Sequence, residues 1–121
     1  MARYIDCFIM PVPKKNLKAY NKMAKASAKA WIKAGALEYV ESLGNDVPKG
    51  KITSFPKSVK LKAGESVVFG YAIYKSRAHR DSVMKKVHED KELMQYWENM
   101  PFDGMRMIWG GFESFLASKK G

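Results

Sequence analysis

The sequence predicts an α+β domain of the ferredoxin-like kind, a β-α-β-β-α-β chain whose antiparallel sheet carries both main helices on one face. Three observations support this prediction. Four segments have the β-branched and aromatic composition of strands. Two runs of helix-forming residues follow the first and third of these segments. The chain has 121 residues, which is the usual size of one domain, so we expect a single domain over residues 1–121.

The first half of the chain predicts a strand, a long helix and a second strand. Arg3–Met10 is rich in β-branched and aromatic residues and predicts a strand, followed by a rigid turn at residues 11–13. Lys14–Lys33 consists mostly of helix formers, and Gly35 stands where a helix C-cap glycine belongs. In Leu37–Leu43, every second position holds Leu, Tyr, Glu and Leu in turn, and this period of two predicts the second strand. The residues expected on the apolar side of the helix are Leu17, Tyr20, Ala24, Ala28 and Trp31.

The second half predicts the third strand and two further helices. Ser66–Tyr74 is apolar throughout and predicts a strand. Ser76 is a suitable N-cap for a helix that runs from residue 77 to about residue 88. Asp90 can cap a short additional helix before the last strand.

Two regions are less regular. Gly44–Gly64 predicts a long loop, and its apolar residues indicate that it is held against the domain. These residues are Ile52, Phe55, Val59 and Leu61. Asp103-Gly104 predicts a turn into a last strand over about residues 105–116. Inside that strand, Gly110-Gly111 indicates a bulge or a close backbone approach.

Composition excludes several classes of protein. Hydrophobic residues make up 46% of the chain and charged residues 28%, which excludes a disordered chain or a fibre. The single cysteine, Cys7, excludes an internal disulfide. We find no apolar run long enough to span a bilayer and no signal peptide, so we expect a cytoplasmic protein with no membrane insertion. Because Cys7, His79 and His88 lack the spacing of a zinc site, we also expect no metal and no cofactor.

The strands are apolar on both sides, with Asp6 as an exception in the first strand. Helices on one face of a sheet can bury only that face, so the other face needs a separate cover. The cover could be a second copy of the chain, which predicts a homodimer, or a nucleic acid that stacks on aromatic rings. The residues expected to need cover are Tyr4, Phe8, Phe69, Tyr71, Met107 and Trp109.

Several strings together resemble the uncharacterised bacterial YbaA-like family over nearly the whole chain. They are FIMPVPKK at 8–15, GALEYVE at 35–41, ITSFPKSVKL at 52–61, YKSRAHRD at 74–81 and MPFDGMRMIWGGF at 100–112. The resemblance implies a ferredoxin-like subunit of the dimeric α/β-barrel type, in which two sheets pack face to face. Sister families of that architecture include cofactor-free monooxygenases, haem-degrading enzymes and small isomerases. The resemblance implies no established activity, and fold alone does not carry one over.

Five residues form the candidate ligand site: Tyr39, Glu41, Phe55, His79 and Arg106. Pockets combine apolar walls with a few polar groups, and a buried glutamate near a tyrosine would suit acid–base work. The expected ligand is a small apolar or weakly acidic molecule, with cofactor-free enzymatic activity left open. In the alternative interpretation, Glu41 faces water from an edge strand.

A second candidate site lies at the start of the helix at residue 77. Ser76, Arg77 and Arg80 could bind a carboxylate or phosphate, because backbone N–H groups at a helix N-terminus favour anions. The alternative is a capping sequence, in which Ser76 caps the helix and the long side chains pair with Asp81.

The predicted first helix is strongly basic. The chain has 22 Lys and Arg against 12 Asp and Glu, a net charge of +10. Seven lysines fall within an arc of about 100° on the helix. They are Lys14, Lys15, Lys18, Lys22, Lys25, Lys29 and Lys33. This surface could bind a polyanion through Lys18, Lys22, Lys25 and Lys29, or it could serve solubility alone.

An RNA-binding module remains the alternative function. RNA-recognition modules share the same order of elements and stack bases on aromatic residues of the first and third strands. Phe8 and the string FGYAI at 69–73 partly resemble that pattern. The resemblance is incomplete, because Phe69 stands where a basic residue should precede the glycine.

Overall fold

The sheet of this protein is antiparallel throughout and has the strand order β2-β3-β1-β4, in a computed structural model that describes residues 3–120. The strands are β1 (Tyr4–Pro13), β2 (Glu38–Leu43), β3 (Glu65–Tyr74) and β4 (Ile108–Glu113). The helices are α1 (Leu17–Ala34), α2 (Phe55–Ser58), α3 (Arg77–Val87) and α4 (Lys91–Glu98). Short 3-10 turns at Lys14–Asn16 and Gly104–Arg106 precede α1 and β4. The predicted α+β ferredoxin-like fold is confirmed.

Strand β1 does not end at Pro11, so the predicted turn at residues 11–13 is wrong. Pro11 pairs with Val67, and Pro13 pairs with Glu65. The amide of Lys14 donates to the carbonyl of Gly64 at 2.8 Å. Since alternate residues of a strand direct their amides to opposite sides, Pro11 and Pro13 direct their nitrogens away from β3. The pairing of β1 with β4 has already ended at Ile9 on that side, so the missing N–H groups break no ladder bond.

Helix α1 ends as the sequence predicts. Gly35 has φ +116°, a left-handed conformation that glycine adopts without strain, and its amide donates to the carbonyl of Ile32. The buried face differs from the predicted stripe, because Ala24, Ala28 and Trp31 are only partly covered. The buried residues are Tyr20, Met23, Ala26, Ser27, Ala30 and Ala34. The seven lysines of the helix and its preceding turn are exposed.

The caps of the next two helices are confirmed. The Ser76 hydroxyl accepts a hydrogen bond from the amide of His79 at 3.1 Å and begins α3. The Asp90 carboxylate accepts from the amide of Leu93 at 3.0 Å and begins α4. Leu93 is fully buried between these helices and the sheet, together with Val83 and Val87 of α3.

The loop and the last strand differ from the prediction in detail. The loop contains the four-residue helix α2, and it is Pro56 and Val59 that are buried, whereas Ile52 is 95% exposed. Strand β4 is shorter than predicted at both ends, because the 3-10 turn takes up its start. Its register against β1 is continuous, so there is no bulge. The predicted close approach is confirmed at Gly111, where the Tyr4 ring fills the space of a side chain.

The two faces of the sheet have different surroundings. Residues of β1 with even numbers face α1, α3 and α4, a side that we call the helix face. The opposite side, the open face, carries nine partly or largely exposed apolar or aromatic residues, together with the exposed Glu38 and Ser42 of β2. The nine are Ile5, Cys7, Ile9, Val40, Phe69, Tyr71, Ile73, Ile108 and Phe112. Tyr4, Phe8 and Trp109 belong to the helix face, so the expectation that they compete for cover with Phe69 and Tyr71 is wrong.

Candidate ligand-binding cavity

A cavity of about 580 Å³ lies between the helix face of the sheet and helices α1, α3 and α4. Such a volume is typical of small-molecule sites. Its aromatic walls are Phe8, Tyr20, Trp31, Tyr39, Trp97, Phe102 and Trp109. The Tyr39 ring packs against Trp31 at 5.1 Å and lies 6.5 Å from Phe8, centroid to centroid. The cavity therefore has a rigid aromatic lining on the side of strand β2.

Methionines form much of the remaining wall. The five that line the cavity are Met10, Met23, Met84, Met100 and Met107. Met10 and Met23 are buried in the core beneath the cavity, and Met100 is 40% exposed at its rim. Unbranched thioether side chains adapt their shape to what they contact.

Glu41 places a carboxylate in this mostly apolar wall. The Tyr39 hydroxyl donates to Oε2 of Glu41 at 2.6 Å, and the Tyr20 hydroxyl donates to Oε1. Strand β2 positions Tyr39 and Glu41 two residues apart on the helix face, while α1 brings Tyr20 to the same carboxylate. We refer to these three residues as the Glu41 cluster.

Burial dominates the electrostatics of the Glu41 cluster. Burial raises the pKa of Glu41, although hydrogen bonds from Tyr20 and Tyr39 oppose the shift by stabilising the carboxylate. Burial raises the pKa of both tyrosines as well, and the neighbouring Glu41 charge adds to that effect. Both hydroxyls therefore stay protonated and keep donating to Glu41. The cluster can accept hydrogen bonds or a proton from a molecule in the cavity.

A second polar group lies across the sheet from the Glu41 cluster. Arg80 of α3 donates to Asp6 of β1 at 2.7 Å and to the exposed Asp81 at 2.8 Å. Its guanidinium also lies 4.9 Å from the centre of the Tyr4 ring. Burial raises the pKa of Asp6, and the nearby Arg80 charge opposes that shift. Asp6 interrupts the apolar pattern of β1 because it binds this arginine.

The structure brings two of the five predicted ligand residues into the cavity wall, Tyr39 and Glu41. Phe55 lies in α2 and is 52% exposed. His79 accepts a hydrogen bond from the Lys75 amide at 3.0 Å and packs on Tyr74. Arg106 binds Glu65 at 2.6 and 2.8 Å and Asp103 at 2.9 Å. Phe55, His79 and Arg106 thus have structural surroundings apart from the cavity.

The predicted anion-binding residues have separate surroundings. Ser76 caps α3 through its hydroxyl, as described above, and Arg77 is exposed. Arg80 is directed into the cavity wall and is bound by two carboxylates. The Ser76 hydroxyl and the Arg80 guanidinium therefore already have partners within the chain.

Sequence reasoning missed two contributors to the site. Tyr20 was assigned only to the apolar side of α1, and Asp6 was treated only as an exception in a strand. A polar side chain inside an apolar strand, as at Asp6, is a usable signal, because a buried charge needs a partner. Nothing local in the sequence pairs Tyr20 with Glu41, since 21 residues separate them.

The fold and the cavity together define a ferredoxin-like α+β protein with a cavity of small-molecule size under its helices. The sequence model of the family described as "Protein of unknown function (DUF1428)" matches residues 3–104. A curated relative, "Uncharacterized protein YbaA" from Escherichia coli (strain K12), is 42% identical over 114 residues, which cover 94% of this chain and 97% of that protein. The chain therefore belongs to this YbaA-like family, whose relatives are bacterial.

Solved structures show the same fold at low sequence identity. A putative antibiotic biosynthesis monooxygenase from Nitrosomonas europaea matches with a TM-score of 0.62 and 10% identity, over 97% of this chain and 94% of that chain. A dimeric ferredoxin-like protein from an uncultured marine organism matches with a TM-score of 0.60 and 9% identity, over 99% and 100%. At these identities the likeness concerns fold alone.

No helix within residues 3–120 has the length and apolar character needed to cross a bilayer. Within the same residues, no three metal-binding side chains come together.

Proposed function

We propose that this protein is a homodimer that binds a small, largely apolar organic molecule in the cavity of each subunit. The observation that carries the proposal is the Glu41 cluster, a partly buried carboxylate held by two tyrosines inside an apolar wall. Apolar walls with a few convergent polar groups are the usual composition of ligand sites. If the bound molecule is a substrate, Glu41 is the residue placed to accept its proton, and the chain itself supplies the chemistry.

Filling the cavity tests this proposal. Met84 lines the cavity from α3, whereas Met105 is 93% exposed and lies outside the wall. We expect compounds found by a thermal-shift screen to stabilise wild type and Met105→Trp equally, because ligand binding to the folded state raises its stability. Met84→Trp should weaken or abolish those shifts. Equal shifts in Met84→Trp and wild type would contradict binding in this cavity.

The homodimer is supported by the open face. Its nine apolar or aromatic residues extend across four strands and Phe112 is 60% exposed, while the polar Glu38 and Ser42 lie on the edge strand β2. Soluble monomers rarely expose apolar patches beyond a few hundred Å². A second copy can present the same face across a two-fold axis, which makes the contact self-complementary. The structurally similar protein described as dimeric and ferredoxin-like is consistent with this arrangement.

Charge placed on the open face tests the dimer. Tyr71 lies near the centre of this face on β3, and Ala19 is exposed on α1. We expect wild type and Ala19→Asp to sediment at twice the chain mass of 13.7 kDa, and Tyr71→Asp to be monomeric or aggregated, since a buried unpaired charge is costly. A well-folded wild-type monomer at micromolar concentration would contradict the proposal.

The RNA-binding alternative has support from only one of its two requirements. The exposed lysines of α1 would attract a polyanion. Base stacking, however, requires aromatic residues of β1 and β3 on the same open face, and Phe8 faces the helices instead. We therefore retain the small-molecule proposal, and the salt dependence described below separates the two.

A further inference from the structure

The Glu41 carboxyl group has no cationic partner in the described chain. Among residues 3–120, no Lys, Arg or His nitrogen lies within 4.0 Å of its carboxylate. Its two known partners, Tyr20 and Tyr39, are neutral hydroxyl donors, and each occupies one carboxylate oxygen. A carboxylate has about four acceptor positions, so acceptor capacity remains free. Charges that are withdrawn from water are normally paired in proteins, so an ionised Glu41 would lack the cationic partner that is usual.

The charge balance of the cavity has the opposite sign to that of the chain. The wall holds two carboxylates, Asp6 and Glu41, and one guanidinium, Arg80. Counted by formal charge, these three side chains sum to −1, in a chain of formal net charge +10. Arg80 is already bound to Asp6 and Asp81. Asp6 of β1 and Tyr39 of β2 both pair with Ala72, from opposite sides of β3. Two strand spacings, about 10 Å, therefore separate the backbone of Asp6, which binds Arg80, from the backbone of Tyr39 in the Glu41 cluster.

Aromatic rings surround the unpaired carboxylate. Tyr20 and Tyr39 touch it through their hydroxyls, and Trp31 packs on Tyr39. Phe102 packs edge-on against Tyr20 at 5.8 Å between ring centroids. All of these residues line the cavity. Aromatic rings attract cations through their π electrons, most strongly where water is excluded.

We propose that the ligand of this cavity is an organic amine, whose ammonium group binds Glu41 among these rings while its apolar part fills the methionine-lined space. This inference rests on the proposed function, which it narrows from an apolar molecule to an amphiphilic cation. The raised pKa of Glu41 agrees with it, because burial disfavours the charged carboxylate and the charge of a bound ammonium would oppose that effect.

Three indole compounds of similar size and different charge provide the test. They are tryptamine, a cation, tryptophol, which is neutral, and indole-3-acetate, an anion. We would measure their affinities for wild type, Glu41→Gln and the control Glu113→Gln by titration calorimetry at pH 8. Glu113 is exposed on β4 and does not line the cavity. Gln keeps the shape of Glu and removes its charge.

The proposal expects tryptamine to bind wild type and Glu113→Gln at least about tenfold more tightly than tryptophol, because hydrogen bonds between charged groups are the stronger ones. In Glu41→Gln this preference should disappear, while tryptophol binding stays within about threefold of wild type. Equal or tighter binding of tryptophol or indole-3-acetate overturns the amine assignment, but it does not contradict the proposal that the cavity binds a small molecule. An amine preference that survives in Glu41→Gln, or no binding of any of the three, also overturns it. The cavity itself is decided separately, by the Met84→Trp comparison.

Discussion

Gly70 of β3 leaves the space that the Phe8 ring occupies on the helix face. A Cβ atom at position 70 would lie 2.2 Å from Cζ of Phe8 and 2.5 Å from Cε2, well inside van der Waals contact. Phe8 is packed against Tyr39 and lines the cavity. We expect Gly70→Ala to displace this ring and so to destabilise the fold and reshape the ligand site.

The magnitude follows from two opposing contributions. Overpacking a core usually costs about 1–3 kcal/mol. Replacing glycine by alanine inside a strand gains about 0.5–1 kcal/mol, because the unfolded chain loses freedom. Because the approach of 2.2 Å is far inside contact distance, the overpacking cost should lie at the upper end of its range, and we expect Gly70→Ala to lower the free energy of unfolding by about 2 kcal/mol. The clashing atoms are Cε1, Cε2 and Cζ, none of which leucine has, so in a Phe8→Leu background the same change should stabilise by about 0.5 kcal/mol.

Urea unfolding at one fixed protein concentration measures these differences, since the stability of the proposed dimer would depend on concentration. Gly104→Ala is the matched control. The nearest atom to a Cβ there is Sδ of Met100 at 3.7 Å, an ordinary contact, so the change should stay within about 0.5 kcal/mol. Two results would refute the reasoning: a Gly70→Ala variant as stable as wild type, or an equal loss in the Phe8→Leu background.

Two further predictions concern the charged groups of the surface. Replacing Lys18, Lys22, Lys25 and Lys29 by Gln should abolish any nucleic-acid binding and leave the circular dichroism spectrum unchanged; binding of the wild type should fall steeply with salt, as counterion release requires. Tight binding of one RNA at physiological salt, lost on Tyr71→Ala, would favour the RNA-binding module. The hydrogen bonds of Arg106 lower the pKa of Glu65 from 4.5 to about 2, so this contribution to stability is complete above pH 4.5 and is lost as the pH falls towards 2. Between pH 4.5 and 2, the urea midpoint of Glu65→Gln should accordingly depend less on pH than that of wild type. If the two midpoints fall in parallel with pH, the Glu65–Arg106 pair does not make this contribution.

The order of elements could be predicted because it depends on local signals. Ser76 and Asp90 begin helices through their own side chains, and Gly35 ends one through its own backbone conformation. The course of β1 could not be read in the same way. A proline such as Pro11 fits within a strand only where its nitrogen faces no partner strand. That depends on where β4 stops pairing with β1, and β4 lies about a hundred residues further along the chain.

Prediction of the cavity likewise depends on the register of the strands. Tyr39 and Glu41 are two residues apart, so any strand places them on one face, and that part of the site was accessible from sequence. Which face the helices cover could not be decided, because both sides of β3 are apolar. Arg106 looked like a ligand residue by its chemistry, yet it binds Glu65, 41 residues away, through a pairing with no local signature.

The five methionines of the cavity wall have a consequence for selectivity. A wall of flexible thioethers can reshape around molecules of different outline at little energetic cost, so it discriminates weakly among hydrocarbon skeletons. The Glu41 cluster cannot adjust in this way, since two hydroxyls fix its carboxylate. If a ligand binds here as proposed, a site built from these two parts should tolerate variation in the apolar part of the ligand and be strict about the single group that reaches the carboxylate. Chemical diversity among accepted compounds should therefore be broad in carbon framework and narrow in functional group.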